Sequence, residues 1–104
     1  MLRLTTAMAA AALVAGAAPA WANLDLAKKH ACTACHKVDT KVVGPAYADV
    51  ATKYAGKKDA LATVMANIKA GGAGKWGPVP MPPQPALSEA DLKALARWIL
   101  GGAK

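Results

Sequence analysis

Phenylalanine is absent from the 104 residues, tyrosine occurs twice and tryptophan three times. Few large side chains are therefore at hand to fill a core. Acids are scarce too, six Asp and Glu against thirteen Lys and Arg, for a formal charge of +7. Such a balance suits an anionic membrane, a nucleic acid or an acidic protein. Nucleic acid is the poorest of these readings, because the lysines are scattered and no aromatics are interleaved with them as a stacking platform. Cysteine appears only twice, at positions 32 and 35. A disulfide between residues so close would shut almost no loop and stabilise little. There is no internal repeat, and little of the chain reads as strand.

The N-terminus has the form of a secretory signal peptide: Met1-Leu2-Arg3 supplies a short positive start, and Leu4 to Ala18 is apolar or small apart from Thr5, Thr6 and Gly16. Ala20-Trp21-Ala22 gives the small-x-small pattern of a cleavage site. The expectation is a cleaved leader over residues 1–22 and one domain over residues 23–104, exported to the periplasm. No cysteine follows the apolar run, so a lipid anchor is not indicated, and stable membrane insertion after cleavage is not expected. The 82 residues that remain carry eleven lysines and one arginine against six acids.

Those residues contain the most informative stretch of the chain, Cys32-Thr33-Ala34-Cys35-His36. Two thiols three apart, followed directly by an imidazole, match the attachment motif of a c-type haem. One helical turn would present both thiols to the vinyl groups of a porphyrin and bring His36 under the iron. A redox dithiol would instead want a strand-to-helix junction, commonly with proline between the cysteines. A zinc site of His30, Cys32, Cys35 and His36 would crowd four ligands into seven residues. The haem reading also answers the shortage of core. At about 1.5 kcal/mol of ordering entropy per residue, a chain this short barely breaks even on apolar burial alone. A flat apolar macrocycle bonded in its middle would supply what is missing.

The rest of the chain reads as helices joined by loops. Asn23 is a candidate cap for a first helix that delivers the cysteines, with His30 as an exposed helical residue. Gly44-Pro45 signals a turn before a helix from about Ala46 to Tyr54. The Pro45 carbonyl is free to accept the second ring proton of His36, as metal-bound histidines require, or Pro45 merely starts the helix. The residues leave both readings open. Asp59 is a candidate cap for a helix over Ala60–Ala70, in which Leu61, Val64, Met65 and Ile68 share one face. Gly71-Gly72-Ala73-Gly74 ends it. Five prolines between Trp76 and Pro85 make a stiff loop with Met81 in the middle. A methionine outside any helical stripe is a better second iron ligand than Met65. Ser88 then caps a last helix carrying Leu92, Leu95, Ala96, Ile99 and Leu100, with Trp98 as packing at its edge.

In order, C-x-x-C-H, V-G-P-A-Y-x-D-V-A over Val43 to Ala51, W-G-P-V-P-M-P-P over Trp76 to Pro83, and a terminal A-R-W-I-L helix resemble the small class I bacterial cytochromes c of the c-551/c-552 type. The resemblance covers essentially all of residues 23–104. It implies an all-α fold of about four helices wrapped around one covalently bound haem c, whose iron is ligated by His36 and Met81. It also implies that Pro45 accepts the His36 ring proton, that Trp76 hydrogen-bonds a haem propionate and that Gln84 lies beside the methionine sulfur. The implied function is non-enzymatic, single-electron transfer in the periplasm by a monomer. A quinol-oxidising complex would be the donor, and a nitrite reductase or terminal oxidase the acceptor. Two departures stand out: Asn67 where some members have a propionate-contacting arginine, and Ala31 where glycine often precedes the first cysteine. The alternatives are a haem peroxidase or gas sensor in which Met81 is displaced, and a binding module without haem.

Overall fold

A computed structural model of the protein describes residues 20–104. The expected leader lies outside the described residues, apart from the backbone of its last three. Four α-helices follow one another: α1 (Ala20–Lys29), α2 (Tyr47–Tyr54), α3 (Ala60–Ala70) and α4 (Glu89–Leu100). Among the described residues extended pairing is confined to two isolated bridges, His36 with Lys41 and Gly72 with Met81. The fold is the all-α one expected.

Helix α4 is the spine, packing on α1, α2 and α3. Its 3.6-residue stripe explains this, since Leu92, Leu95, Ala96, Trp98 and Ile99 are all buried while Lys93 and Arg97 face solvent. Opposite them lie Tyr47, Val50 and Tyr54 of α2, Val64 and Ile68 of α3, and Ala27 of α1. Ala27 and Ala96 are completely buried, so α1 and α4 meet through small side chains. Met65 packs at the edge of this core, as its place in the stripe suggests.

The helix ends differ more from expectation than the helices do. Ser88 caps α4 as its sequence position indicates, its Oγ accepting from the Asp91 amide at 3.1 Å. Asp59 occupies the cap position of α3 but makes no side-chain capping bond. Its main-chain carbonyl instead accepts from Thr63 at 3.0 Å. Asn23 is not a cap, because α1 already begins at Ala20. Nor does α1 deliver the cysteines. It stops at Lys29, Ala31 turns left-handed at φ 60° and ψ 18°, and Cys32–Ala34 form a separate 3₁₀ turn. His30 thus follows the helix instead of belonging to it, and it is half-buried, not exposed.

Candidate functional site: an apolar cavity between the cysteine turn and the proline-rich loop

The 3₁₀ turn and the proline-rich loop both open onto one cavity of about 250 Å³. Val50, Val64, Ile68, Leu95 and Ile99 supply its apolar wall from the core. Cys32, Cys35, His36 and Pro45 line it from one part of the chain, and Trp76 and Met81 from another. Met65 does not line it. Gln84 is not among the lining residues, and its side-chain amide donates to the Pro82 carbonyl at 3.3 Å.

His36 is held on three sides. Its Nδ1 lies 2.8 Å from the Pro45 carbonyl oxygen. A carbonyl only accepts, so Nδ1 carries the proton and Nε2 keeps its lone pair for a metal. Of the two roles open to Pro45, this one is formed. The ring stacks on Tyr47 at 5.5 Å between centroids and 21° between planes. On its other flank comes Gly44, whose amide is tied to the Cys35 carbonyl at 2.8 Å. A Cβ at Gly44 would overlap the ring, only 2.8 Å from Nδ1. The sequence marked Gly44 as a turn residue; the close approach is what demands glycine.

The two thiols are half-buried and not joined to one another. Burial pushes the Cys32 thiol pKa up; a backbone hydrogen bond opposes the shift and Cys35 adds to it. Behind them Tyr47 is buried with its hydroxyl lacking a hydrogen-bond partner. Burial, and secondarily Cys32, pushes that phenol well above its ordinary 10.0. Trp98 leans on Tyr47 at 5.1 Å, as packing.

A polar corner of the cavity was not legible in sequence spacing. Asn67 donates to the Tyr54 hydroxyl at 3.3 Å and accepts from Lys75 Nζ at 2.9 Å. Lys53 Nζ lies 4.4 Å from the centroid of the Trp76 ring. These residues come from α2, α3 and the loop after it, and only the tertiary fold assembles them.

The donor set fits a haem. One imidazole nitrogen, one thioether and two thiols at C-x-x-C spacing line one largely apolar space. A zinc site does not fit, since no three His, Cys, Asp or Glu side chains converge as metal ligands among the described residues.

Known proteins share this sequence and fold. The cytochrome c family model matches residues 14–103. Cytochrome c-552 of Nitrosomonas europaea is 58% identical over 97 residues, spanning 93% of this chain and 92% of that protein. Cytochrome c-551 of Pseudomonas aeruginosa is 52% identical over 75 residues, 72% of this chain and 71% of that one. The crystal structure of the Nitrosomonas cytochrome superimposes with a TM-score of 0.71, covering 74% of this chain and 95% of that one.

Proposed function

The chain belongs to the cytochrome c family, and from that premise we propose that it shuttles single electrons in the periplasm through a haem held by His36 and Met81. It is a small class I monohaem cytochrome c, an electron carrier and not an enzyme, with one haem c bonded through Cys32 and Cys35. The haem iron supplies a one-electron couple, and a thioether ligand favours its ferrous state.

The chain's own part is to hold donors still. What carries the ligand assignment is the 2.8 Å bond from His36 Nδ1 to Pro45, which aims the lone pair of Nε2, together with Met81 in the same cavity. Pro45 keeps the ring from turning and raises its basicity. With His36 and Met81 both holding the group, no open position would remain for substrate, and these two side chains would need to move little as the charge at the site changes. Trp76 and Gln84 are proposed to serve the propionate and the methionine sulfur.

The partners proposed are a quinol-oxidising complex as donor and a nitrite reductase or terminal oxidase as acceptor. Support comes from the surface beside the cavity, where Val42, Val43 and Val79 are 46%, 49% and 58% exposed. Lys28, Lys37, Lys41 and Lys75 are exposed on the same or adjoining segments. An apolar contact with a basic rim suits a brief encounter with an acidic docking site. The export proposal rests on the form of residues 1–22. No helix among the described residues is long and apolar enough to cross a membrane.

The ligand assignment is tested by two variants. Met81→Ala should give a high-spin or ligand-exchanged spectrum and a lower potential, while Met65→Leu should leave the spectrum unchanged. The opposite pattern would move the ligand to Met65.

A further inference from the structure

Prolines stiffen the Met81 loop, but they do not say where it is held. The structure pins it to the end of α3. Gly72 donates its amide to the Met81 carbonyl at 3.0 Å, and Met81 returns its own amide to the Gly72 carbonyl at 2.8 Å. Farther along, the Gln84 amide donates to the Lys69 carbonyl at 3.0 Å, occupying an acceptor that the last turn of α3 leaves free. Between these attachments Gly71 sits at φ 64°, where a Cβ would overlap the Met81 carbonyl oxygen and lie 2.8 Å from both the Pro82 carbonyl carbon and the Pro83 nitrogen. The loop therefore lies flush on the glycine turn only because position 71 has no side chain.

We infer that Gly71 and Gly72 are positioning residues for the distal ligand: their backbone clamp on Met81, and not loop stiffness alone, keeps the thioether sulfur on the iron. The inference rests on Met81 being that ligand. Sulfur is a neutral, weakly held donor, so an exogenous base competes with it whenever the loop lifts. Lifting the loop breaks the two hydrogen bonds between residues 72 and 81. The clamp thus sets how often the iron is open, a quantity separate from global stability. His36 is insulated from it, being tied to Pro45 and flanked by Gly44.

The test uses the ferric holoprotein with imidazole as the competing base. Gly71→Ala should bind imidazole at least about tenfold more tightly than wild type, the factor that about one backbone hydrogen bond carries. It should also lose the charge-transfer absorption of methionine-ligated ferric iron at lower temperature. Gly56→Ala is the control, with a comparable φ of 73° but open space around the position. It should lower Tm while leaving imidazole affinity at the wild-type value. Equal affinities for Gly71→Ala and wild type, or an equal gain in both variants, would overturn the clamp. Should Gly71→Ala fail to fold, amide exchange in the wild type decides. On imidazole binding the Gly72 and Met81 amides should lose protection while those of Gly44 and Tyr47 keep it. Unchanged protection at 72 and 81 refutes the coupling. A wild-type spectrum lacking methionine ligation would refute the ligand assignment first, and the clamp with it.

Discussion

Tyr47 shows how one hydroxyl is placed against its own interest. The ring serves the site, stacked on His36 and braced by Trp98, while the phenol oxygen is buried with no partner. An unsatisfied buried hydroxyl costs about 1–3 kcal/mol. Tyr47→Phe keeps the stack, so it should stabilise the protein by about 1 kcal/mol at neutral pH. The pH dependence carries a sign that can be checked. Because the folded pKa lies above the unfolded value of 10.0, the native state holds the proton more tightly. Stability is then full below that pH and falls as pH rises past it. Chemical denaturation from neutral to alkaline pH should show a smaller loss for Tyr47→Phe than for wild type. Identical alkaline limbs would mean that this phenol does not titrate with unfolding. At the same scale, chemistry was easier to read than contact. Cys32, Cys35, His36 and Met81 stand out by type and spacing, and the fold brings all four to one cavity. The need for glycine at 44 and 71 is set by what crosses above them, which no local pattern records.

The helices follow from period and punctuation, which is why α3 and α4 fall over their apolar stripes and α2 starts a single residue later than expected and ends where expected. What escaped was the break between α1 and the cysteines. Nothing in Lys29-His30-Ala31-Cys32 is a helix breaker, since alanine is the best of helix formers. Tertiary demand wins there, turning Ala31 left-handed so that the thiols sit on their own tight turn. That conformation costs an L-residue about 1–2 kcal/mol, part of which glycine would recover after allowing for its freer unfolded chain. Ala31→Gly should therefore stabilise the holoprotein by about 0.5–1 kcal/mol, a Tm rise of about 3–6 °C for a domain of this size. Lower stability would mean that the helix before it, not the left-handed turn, limits this segment.

For the molecule as a whole, two expectations arise from its charge and its thin core. With twelve basic against six acidic residues after the expected leader, encounter with an acidic acceptor should be steered, and exposed charges are screened beyond about 8 Å at physiological salt. The second-order rate constant for transfer to the native acceptor should drop by about tenfold from low to high ionic strength. Lys28→Glu, Lys37→Glu and Lys41→Glu should lower it at low salt only. Rates indifferent to both would leave the apolar patch as the whole of the docking surface. The core is the other limit. Much of the inner surface of α2, α3 and α4 faces the cavity, so the Cys32→Ala, Cys35→Ala double variant should be largely unfolded. Native-like circular dichroism with a cooperative thermal transition in that variant would show that the helices suffice.

That dependence has a meaning in time. In the folded chain Cys32 is half-buried and its thiolate is suppressed by burial, so a finished fold is a poor substrate for making the thioether. Should the unbonded chain prove too short of core to close by itself, it would stay open, with both thiols within reach, until they are bonded. Maturation and folding would then run in order, attachment first. Any redesign that let the empty chain fold early should ripen more slowly, delivering stable protein without colour.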